Sequence, residues 1–310
     1  MKKVLFATTA LVLTAGTAMA DYTIGGSGRV GLRYSDAGSG KKTQIEYRLR
    51  FNIDASKETD SGVTFGGRIR LQSDENKNQG ATLSAAYIYA TTGGFRVEVG
   101  NANTAYDSAA LMYNPEIGFV GNSQGDPQGS YFSFDSTGNN GNTNYVAIFA
   151  AYSVGDLNVR ASYATVNQAL STGLNDEFGI SADYKFGAIT VSAAYDSNGG
   201  GLANNDLVFV GAEYALNDTT NVGLLYNDNG GTTAFNVGTT ITLYGNTKLA
   251  SGVGIGAYVT SIDNSDLAPV NDVVGGIGAS YDLGGATLAG MVETRFNGDT
   301  YADLGVNFSF

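Results

Sequence analysis

The stretch TQIEYRLRFNIDA, residues 43–55, alternates between polar and apolar side chains at every position from Gln44 to Asp54. A period of two predicts a β-strand with one apolar and one polar face. The neighbouring stretches 22–35 and 63–72 follow the same pattern. In a soluble sandwich the apolar face would pack on a core, whereas in a membrane barrel it faces lipid and the polar face lines a wet interior. The alternation therefore predicts strands and leaves two architectures open.

Similar segments recur along the chain, and the connections between them alternate in length. Short turns, such as 92–93 and 283–285, alternate with longer polar loops, such as 36–42 and 263–271. This asymmetry is typical of an outer-membrane barrel. The assignment between residues 220 and 250 stays open, because 230–238 could be loop or strand. We predict sixteen antiparallel strands beginning near residues 22, 43, 62, 81, 94, 144, 156, 176, 188, 206, 220, 239, 253, 272, 286 and 300.

Both ends of the chain fit an exported barrel. Two lysines and an apolar run at 4–13 precede Ala18-Met19-Ala20, which is the layout of a secretory signal peptide. We expect a signal peptide at residues 1–20 and one outer-membrane β-barrel at residues 21–310. The last strand ends on Phe310, and a barrel closes by pairing its last strand with its first.

Composition excludes several classes of function. The chain has no Cys and no His, which excludes disulfides, Ser-His-Asp triads and His-ligated zinc. Its net charge is -12, or -14 without Lys2 and Lys3, so nucleic acid is not an expected partner. The motif GSGRVG at 26–31 matches a dinucleotide fingerprint, but strand alternation continues where that motif needs a helix. We therefore predict no enzyme.

The alternation fails over one long interval, residues 101–144. A structureless segment of this length in a compact, strand-rich protein is typically a functional loop. The interval contains no Lys or Arg. We predict that it is a constriction loop folded into the pore. Of its acidic residues Asp107, Glu116, Asp126 and Asp135, we expect the first three to face the constriction.

The arginines, in contrast, are concentrated in the strands that precede this interval. Seven of the nine arginines lie in the first five predicted strands, all on the polar parity. An arginine facing lipid at the bilayer midplane costs roughly 2 to 4 kcal/mol, so these side chains should face the lumen. The predicted basic side of the constriction consists of Arg29, Arg33, Arg48, Arg50, Arg68, Arg70 and Arg96.

An acidic loop facing basic side chains would set a transverse field across a narrow aqueous gap. Such a field orients polar solutes and biases ion selectivity. A simpler alternative is that the arginines only neutralise Glu46, Asp54 and Glu98 by pairing with them. The sequence allows both effects at once.

Loops rich in Asp, Asn and Gly at 196–206 and 263–266 could hold calcium through oxygen ligands. Neither loop has the spacing of an EF-hand. We predict no resident metal or cofactor, and calcium on these loops remains an open possibility.

Four segments resemble the general diffusion porins of purple alphaproteobacteria: GRVGLRY at 28–34, RLRFNI at 48–53, ETDSGVTFG at 58–66 and ADLGV at 302–306. The likeness is most specific where VGN at 99–101 leads into TAYD at 104–107. The resemblance implies a homotrimer of sixteen-stranded barrels in the outer membrane of a Gram-negative bacterium, with a third loop that narrows each pore. It implies wall positions for five of the arginines, Arg29, Arg48, Arg50, Arg68 and Arg70, and loop positions for Asp107 and Glu116.

The chain departs from that resemblance at Asn103 and Asn114, where further carboxylates are expected, so we predict a less acidic constriction. The predicted function is that of a general diffusion porin, which passes small hydrophilic solutes and ions and contacts outer-membrane lipid. A solute-specific channel, a non-transporting adhesin barrel and an outer-membrane hydrolase are the alternatives.

Overall fold

The computed structural model describes residues 20–37, 40–75, 81–84, 86–131, 146–165 and 173–310. The predicted signal peptide, apart from Ala20, and residues 132–144 of the predicted loop lie outside this part of the chain. No helix among the described residues is long and apolar enough to cross a membrane.

The described chain consists almost entirely of β-strands, together with one 3-10 turn at Gly199–Gly201. The strands are β1 (Asp21–Ser35), β2 (Thr43–Glu58), β3 (Thr64–Asp74), β4 (Thr82–Leu83), β5 (Tyr87–Thr92), β6 (Phe95–Gly100), β7 (Val146–Val154), β8 (Leu157–Thr165), β9 (Glu177–Phe186), β10 (Ile189–Ser197), β11 (Leu207–Asn217), β12 (Thr220–Asp228), β13 (Gly231–Thr232), β14 (Phe235–Asn236), β15 (Thr239–Lys248), β16 (Val253–Asp263), β17 (Val273–Asp282), β18 (Ala286–Thr294) and β19 (Thr300–Ser309).

These strands form one closed antiparallel sheet. Consecutive strands pair in order around the sheet, and β1 pairs with both β2 and β19. The short β4 and β5 both pair with β3 and act as one barrel strand, while β13 and β14 form a separate hairpin. The predicted sixteen-stranded antiparallel barrel is therefore confirmed.

The predicted closure through the last strand is also confirmed. Val30 of β1 lies opposite Val306 of β19 and opposite Tyr47 of β2. Beyond the strand end, the Gly26 amide donates to the Phe310 carbonyl at 2.8 Å, and the Phe310 amide donates back at 3.1 Å. No edge of the first or last strand is left open here, which is how a barrel avoids edge-to-edge association.

The fourth barrel strand differs from the prediction, because it is interrupted between β4 and β5. Leu71 of β3 lies opposite Leu83, and Arg68 lies opposite Tyr87, so the fourth strand carries one extra residue. An extra residue of this kind is a β-bulge. The Ser84 amide donates to the Arg70 carbonyl at 2.9 Å, and the Ser84 hydroxyl accepts the Arg70 amide at 3.1 Å. Ser84 thus keeps the bulged strand hydrogen-bonded to β3.

The two faces of the sheet differ as the alternation predicts. On β2 the outward side chain of Ile45 is 68% exposed, whereas the inward side chain of Glu46 is 1% exposed. On β9 the outward residues Phe178 and Ile180 are exposed, and the inward Ser181 is buried. An apolar outer face without a covering layer excludes the soluble sandwich, whose apolar parity would face a core.

The connections are short at one end of the barrel and long at the other. The turn at Gly93 and Gly94 has positive φ at both residues, which is the two-residue hairpin turn that glycine favours. At the opposite end, the segment 230–238 that the sequence left open contains the β13–β14 hairpin. Both flanking strands, β12 and β15, exist as predicted.

Candidate functional site

The predicted constriction loop turns into the barrel. Over the described residues 101–131, its backbone is hydrogen-bonded to side chains on the inner wall. The Ala105 amide donates to the Ser162 hydroxyl on β8 at 2.8 Å. Further along, the Phe119 amide donates to the Asp303 carboxylate on β19 at 3.1 Å. The loop therefore follows the wall from β8 around to β19, and its prediction as a loop inside the barrel is confirmed for these residues.

An apolar cluster anchors the middle of the loop. Tyr106 and Met112 are completely buried against Leu207, Phe209 and Leu225 of the wall. Full burial of an apolar side chain contributes about 1.5 to 3 kcal/mol. The barrel's main interior core is thus formed between the wall and this loop, and it holds the loop in one position.

The loop tip rests on wall positions that have no side chain. The ring of Phe119 is 3% exposed. A Cβ on Gly305 would lie 2.7 Å from the Cδ2 atom of Phe119, and a Cβ on Gly256 would overlap the side chain of Ile117. Glycine at these two positions permits the close approach of loop and wall.

The three predicted acidic residues have different environments. Asp107 accepts hydrogen bonds from the Asn103 amide group at 2.6 Å and from the Tyr113 hydroxyl, so it is tied into the loop. Asp126 is buried and accepts the Ser123 amide at 3.1 Å. Glu116 is the exposed one of the three. The charge that the loop presents to the lumen is therefore concentrated at Glu116.

The loop environment also changes proton affinities. Partial desolvation at the loop tip raises the pKa of Glu116 from its ordinary value, and the nearby Asp107 carboxylate raises it further. Burial raises the pKa of Asp126 well above its ordinary value, and repulsion from Glu116 adds to this effect. Two carboxyl groups that share one site do not both ionise at their normal pH.

Four of the seven predicted arginines are paired with carboxylates. Arg29 pairs with Glu46, which also lies 3.5 Å from Arg33, and the Arg29 guanidinium donates to the Val120 carbonyl of the loop at 2.8 Å. Two further ion pairs join Arg68 to Asp54 at 2.7 Å and Arg96 to Glu98 at 2.6 Å.

The other three arginines, Arg48, Arg50 and Arg70, form no ion pair within the described part of the chain. The Nε atom of Arg50 donates to the Gln72 side chain at 2.7 Å, which is a neutral partner. Asp74 lies opposite Arg48 on β3 and accepts a hydrogen bond from Gln72 at 2.8 Å. The wall therefore keeps a group of positive charges that its own carboxylates do not pair.

A cavity of about 720 Å³ lies between the loop tip and the arginine-bearing wall. Arg29 and Arg48 line it from the wall, and Glu116 and Val120 line it from the loop. Lys248 of β15 lines the same cavity, although the sequence analysis did not select it. Its parity, shared with the inward Tyr244 and Thr242, could have indicated a lumenal position, but the strand assignment there was left open.

Two further arginines, Arg160 and Arg295, also face inward and were not selected. Arg160 pairs with Asp183, and Arg295 pairs with Glu293 at 2.9 Å. Arg295 also stacks over the ring of Tyr301 at 4.0 Å. Each of them has a carboxylate partner, in contrast to Arg48.

The two asparagines that depart from the resemblance both donate to carboxylates. The amide group of Asn103 donates to Asp107, and that of Asn114 donates to Glu213 of β11 at 2.8 Å and to the Tyr244 hydroxyl at 3.1 Å. A carboxylate at position 114 would face Glu213 directly. The neutral amides therefore fit the wall chemistry of this chain.

The substitution Asn114→Asp is expected to destabilise the protein more at pH 8 than at pH 5. The introduced carboxyl group would have a raised pKa beside Glu213, so its cost is absent at low pH and grows as the pH rises through that pKa. Thermal unfolding in detergent at the two pH values measures the effect. Asn114→Ala, which loses the hydrogen bond without adding charge, should show no such pH dependence; equal losses for Asn114→Asp at both pH values would contradict the prediction.

Among the described residues, no three His, Cys, Asp or Glu side chains converge in a group that could hold a metal ion. In the two loops that could hold calcium, Asp206 accepts the Asn198 amide at 3.2 Å and Asp266 accepts the Asn236 amide at 2.7 Å. Asp206 therefore orders its own loop, and Asp266 joins its loop to the β13–β14 hairpin.

Comparisons with known proteins agree with this architecture. A profile of Gram-negative porins matches residues 7–307. A porin from Fuscovulum blasticum is 40% identical over 94% of this chain and 100% of that protein, and a porin from Rhodobacter capsulatus is 29% identical over 93% and 99%. A solved structure of a triple mutant of Rhodopseudomonas blastica porin matches with a TM-score of 0.87 and 38% identity, covering 94% of this chain and all of that one. The chain therefore belongs to the Gram-negative porin family, and its barrel lies in the outer membrane.

Proposed function

We propose that this protein is a general diffusion porin, in which small hydrophilic solutes and ions pass through the gap between the loop tip and the arginine wall. The observation that carries the proposal is the cavity shared by Glu116 and Arg48. Opposite charges on its two sides favour polar solutes, whose dipoles align in the field, over apolar ones. Passage by diffusion needs no chemical step, because the charge and shape of the gap act on the solute without forming or breaking a bond.

Stepwise conductance in a planar lipid bilayer tests this function. Adding purified protein should produce discrete current steps that grow with salt concentration, and flexible polymers of increasing size should define a cut-off. A current that a single sugar or anion blocks at low concentration would instead indicate a solute-specific channel. Absence of current steps would contradict a porin function.

We also propose that the protein is a homotrimer whose contact includes the outer face of β5 and β6. β6 has six residues, whereas a strand needs about 9 to 11 residues to cross the hydrocarbon layer, and β5 belongs to the interrupted fourth barrel strand. An outer groove of about 510 Å³ lies beside them, lined by Phe65, Ile88 and Val97. A second copy of the chain would cover a wall too short for lipid. Sedimentation in detergent tests this proposal, which a purely monomeric species would contradict.

Export to the outer membrane also requires a targeting segment. We propose that residues 1–20 serve as a signal peptide and are removed, which is supported by the basic start, the apolar run and the small residues before Asp21. The mass of the protein purified from outer membranes tests this point.

Lowering the pH from 8 to 4 is expected to shift ion selectivity towards anions. The raised pKa of Glu116 means that its charge is lost at a higher pH than that of an ordinary glutamate, while the guanidinium groups opposite stay charged. The reversal potential in a salt gradient measures the shift. Glu116→Gln should show a flatter pH dependence, and Asp156→Asn, in the exposed turn between β7 and β8, should behave like the wild type. An unchanged pH profile in Glu116→Gln would contradict the placement of this residue in the gap.

A further inference from the structure

A second cavity, of about 500 Å³, adjoins the gap and lies between the loop tip and the wall formed by β15 to β19. Ile117 and Gly118 line it from the loop. Among the described residues that line it there is no arginine and no aromatic side chain. Its two charged side chains, Glu116 and Lys248, have opposite charges. The rest of its surface consists of amide groups, hydroxyl groups and small residues, so this side of the pore is neutral where the arginine-bearing side is basic.

The sheet register brings three of the polar side chains together. Thr287 of β18 lies directly opposite Asn307 of β19, and Ser280 of β17 lies opposite Ala289, two residues from Thr287 on the same face. Residues directly opposite each other have Cβ atoms about 4.5 to 5.5 Å apart, and diagonal neighbours about 7 to 8 Å. On its other side Ser280 lies opposite Gly254, where a Cβ would be 2.6 Å from the Ser280 hydroxyl oxygen. The glycine therefore leaves room for this hydroxyl group at the cavity wall.

These side chains have hydrogen-bonding capacity that the protein does not use. The hydroxyl groups of Ser280 and Thr287 form no hydrogen bond within the described part of the chain. The amide group of Asn307 donates to the Phe119 carbonyl of the loop at 3.0 Å, and that of Asn246 donates to the Asn114 carbonyl at 3.2 Å. Since their N–H groups point to the loop, the two amide oxygens remain as acceptors. Water can satisfy such groups, and a hydroxyl group of a solute can take its place.

We propose that this cavity is a weak binding site for small uncharged polyols, an inference that rests on the proposed diffusion function. A polyol hydroxyl group both donates and accepts, so it matches amide oxygens that only accept and hydroxyl groups that do both. A simple anion cannot donate to the amide oxygens, and the opposite charges of Glu116 and Lys248 leave no net attraction for either sign of ion. The volume lies in the usual range of small-molecule sites, about 300 to 1,000 Å³. Because these hydrogen bonds compete with water, retention is weak and similar for related polyols.

Single-channel recording in the presence of sorbitol tests the site. The measured quantity is the channel current divided by the bulk conductivity of the same solution, which corrects for viscosity. We expect sorbitol and mannitol to lower this ratio to the same extent and with saturation, because a retained polyol obstructs ion flow. Triethylene glycol dimethyl ether is a control solute of similar size that has no hydroxyl group to donate. It should lower the ratio less and without saturation.

The double variant Ser280→Ala/Thr287→Val removes two hydroxyl groups that have no partner in the described structure, so its conductance in salt alone should match the wild type. Its half-saturating sorbitol concentration should rise about threefold or more, as expected for lost hydrogen bonds. The matched control Ser27→Ala/Thr23→Val makes the same two changes on the inner face of β1 and should behave like the wild type. Ser280→Ala alone is the second variant if the double variant does not fold.

Two results would overturn the polyol site while leaving the porin function intact. The first is normal current steps on which sorbitol and the ether have the same effect. The second is a half-saturating sorbitol concentration that is equal in the wild type and in the Ser280 variants. Absence of current steps in the wild type would instead contradict the porin function itself, and the polyol site with it.

Discussion

Replacing Arg48 and Arg50 together by glutamine is expected to raise the preference for cations over anions about fivefold. Neither guanidinium has a carboxylate partner in the described structure, and Arg48 lines the gap opposite Glu116. A unit charge about 8 Å from a passing ion changes its energy by roughly 0.5 kcal/mol in water, and screening at about 0.1 M salt lowers this to roughly 0.25 kcal/mol. Because a cation and an anion respond in opposite directions, each arginine changes their permeability ratio about twofold. The reversal potential of single channels in a salt gradient gives the permeability ratio.

The control for this double variant is Lys57→Gln, which removes one positive charge from the outward parity of β2. It should leave the permeability ratio unchanged. The conductance of the double variant should also rise, because two bulky side chains are shortened at the gap. Reversal potentials equal to those of the wild type would contradict the placement of Arg48 and Arg50 at the constriction.

The overall charge of the chain does not indicate the charge of its gap. The chain is acidic, with a net charge of -12, yet the described wall offers three unpaired guanidinium groups to the lumen. Of the predicted loop carboxylates, Asp107 is bound within the loop and Asp126 is buried. We therefore expect selectivity to depend on the few charged groups of the cavity that form no ion pair in the described structure, among them Glu116, Arg48 and Lys248.

Strand orientation could be predicted because it depends on local information. A period of two fixes which side chains share a face, and the cost of placing arginine in lipid decides which face is inside. The pairing of the arginines depends instead on register between strands. Arg29 meets Glu46, 17 residues away, because β1 and β2 align so that Arg29 lies opposite Arg48. The alternation of polar and apolar residues predicts which side chains share a face, but it does not predict this register between strands.

The sequence alone could not distinguish the roles of the three loop carboxylates, for a similar reason. The loop has no periodicity, so the direction of each side chain depends on tertiary contacts. Asp107 points into the loop because Tyr113, six residues away, donates to it. Glu116 reaches the lumen because its neighbours Ile117 and Phe119 are held on the wall by Gly256 and Gly305.

Truncating the loop anchor with Phe119→Ala is expected to increase single-channel conductance and to admit larger polymers. The ring is 3% exposed against the wall, and removing a buried Phe side chain typically costs about 3 to 5 kcal/mol. The remaining tip contacts include the Asn307 amide group, which donates to the Phe119 carbonyl at 3.0 Å. With less apolar contact, the tip should leave the wall more often, and the channel current should become noisier.

Phe186→Ala is the matched control for this anchor, because it removes the same side chain from an exposed position at the end of β9. Its conductance, noise and polymer cut-off should equal those of the wild type. A third variant, Gly256→Val, should reproduce the effect of Phe119→Ala from the opposite side, since its side chain would displace Ile117 from the wall. If Phe119→Ala and Gly256→Val both keep the wild-type conductance and cut-off, the loop tip does not set the width of the pore.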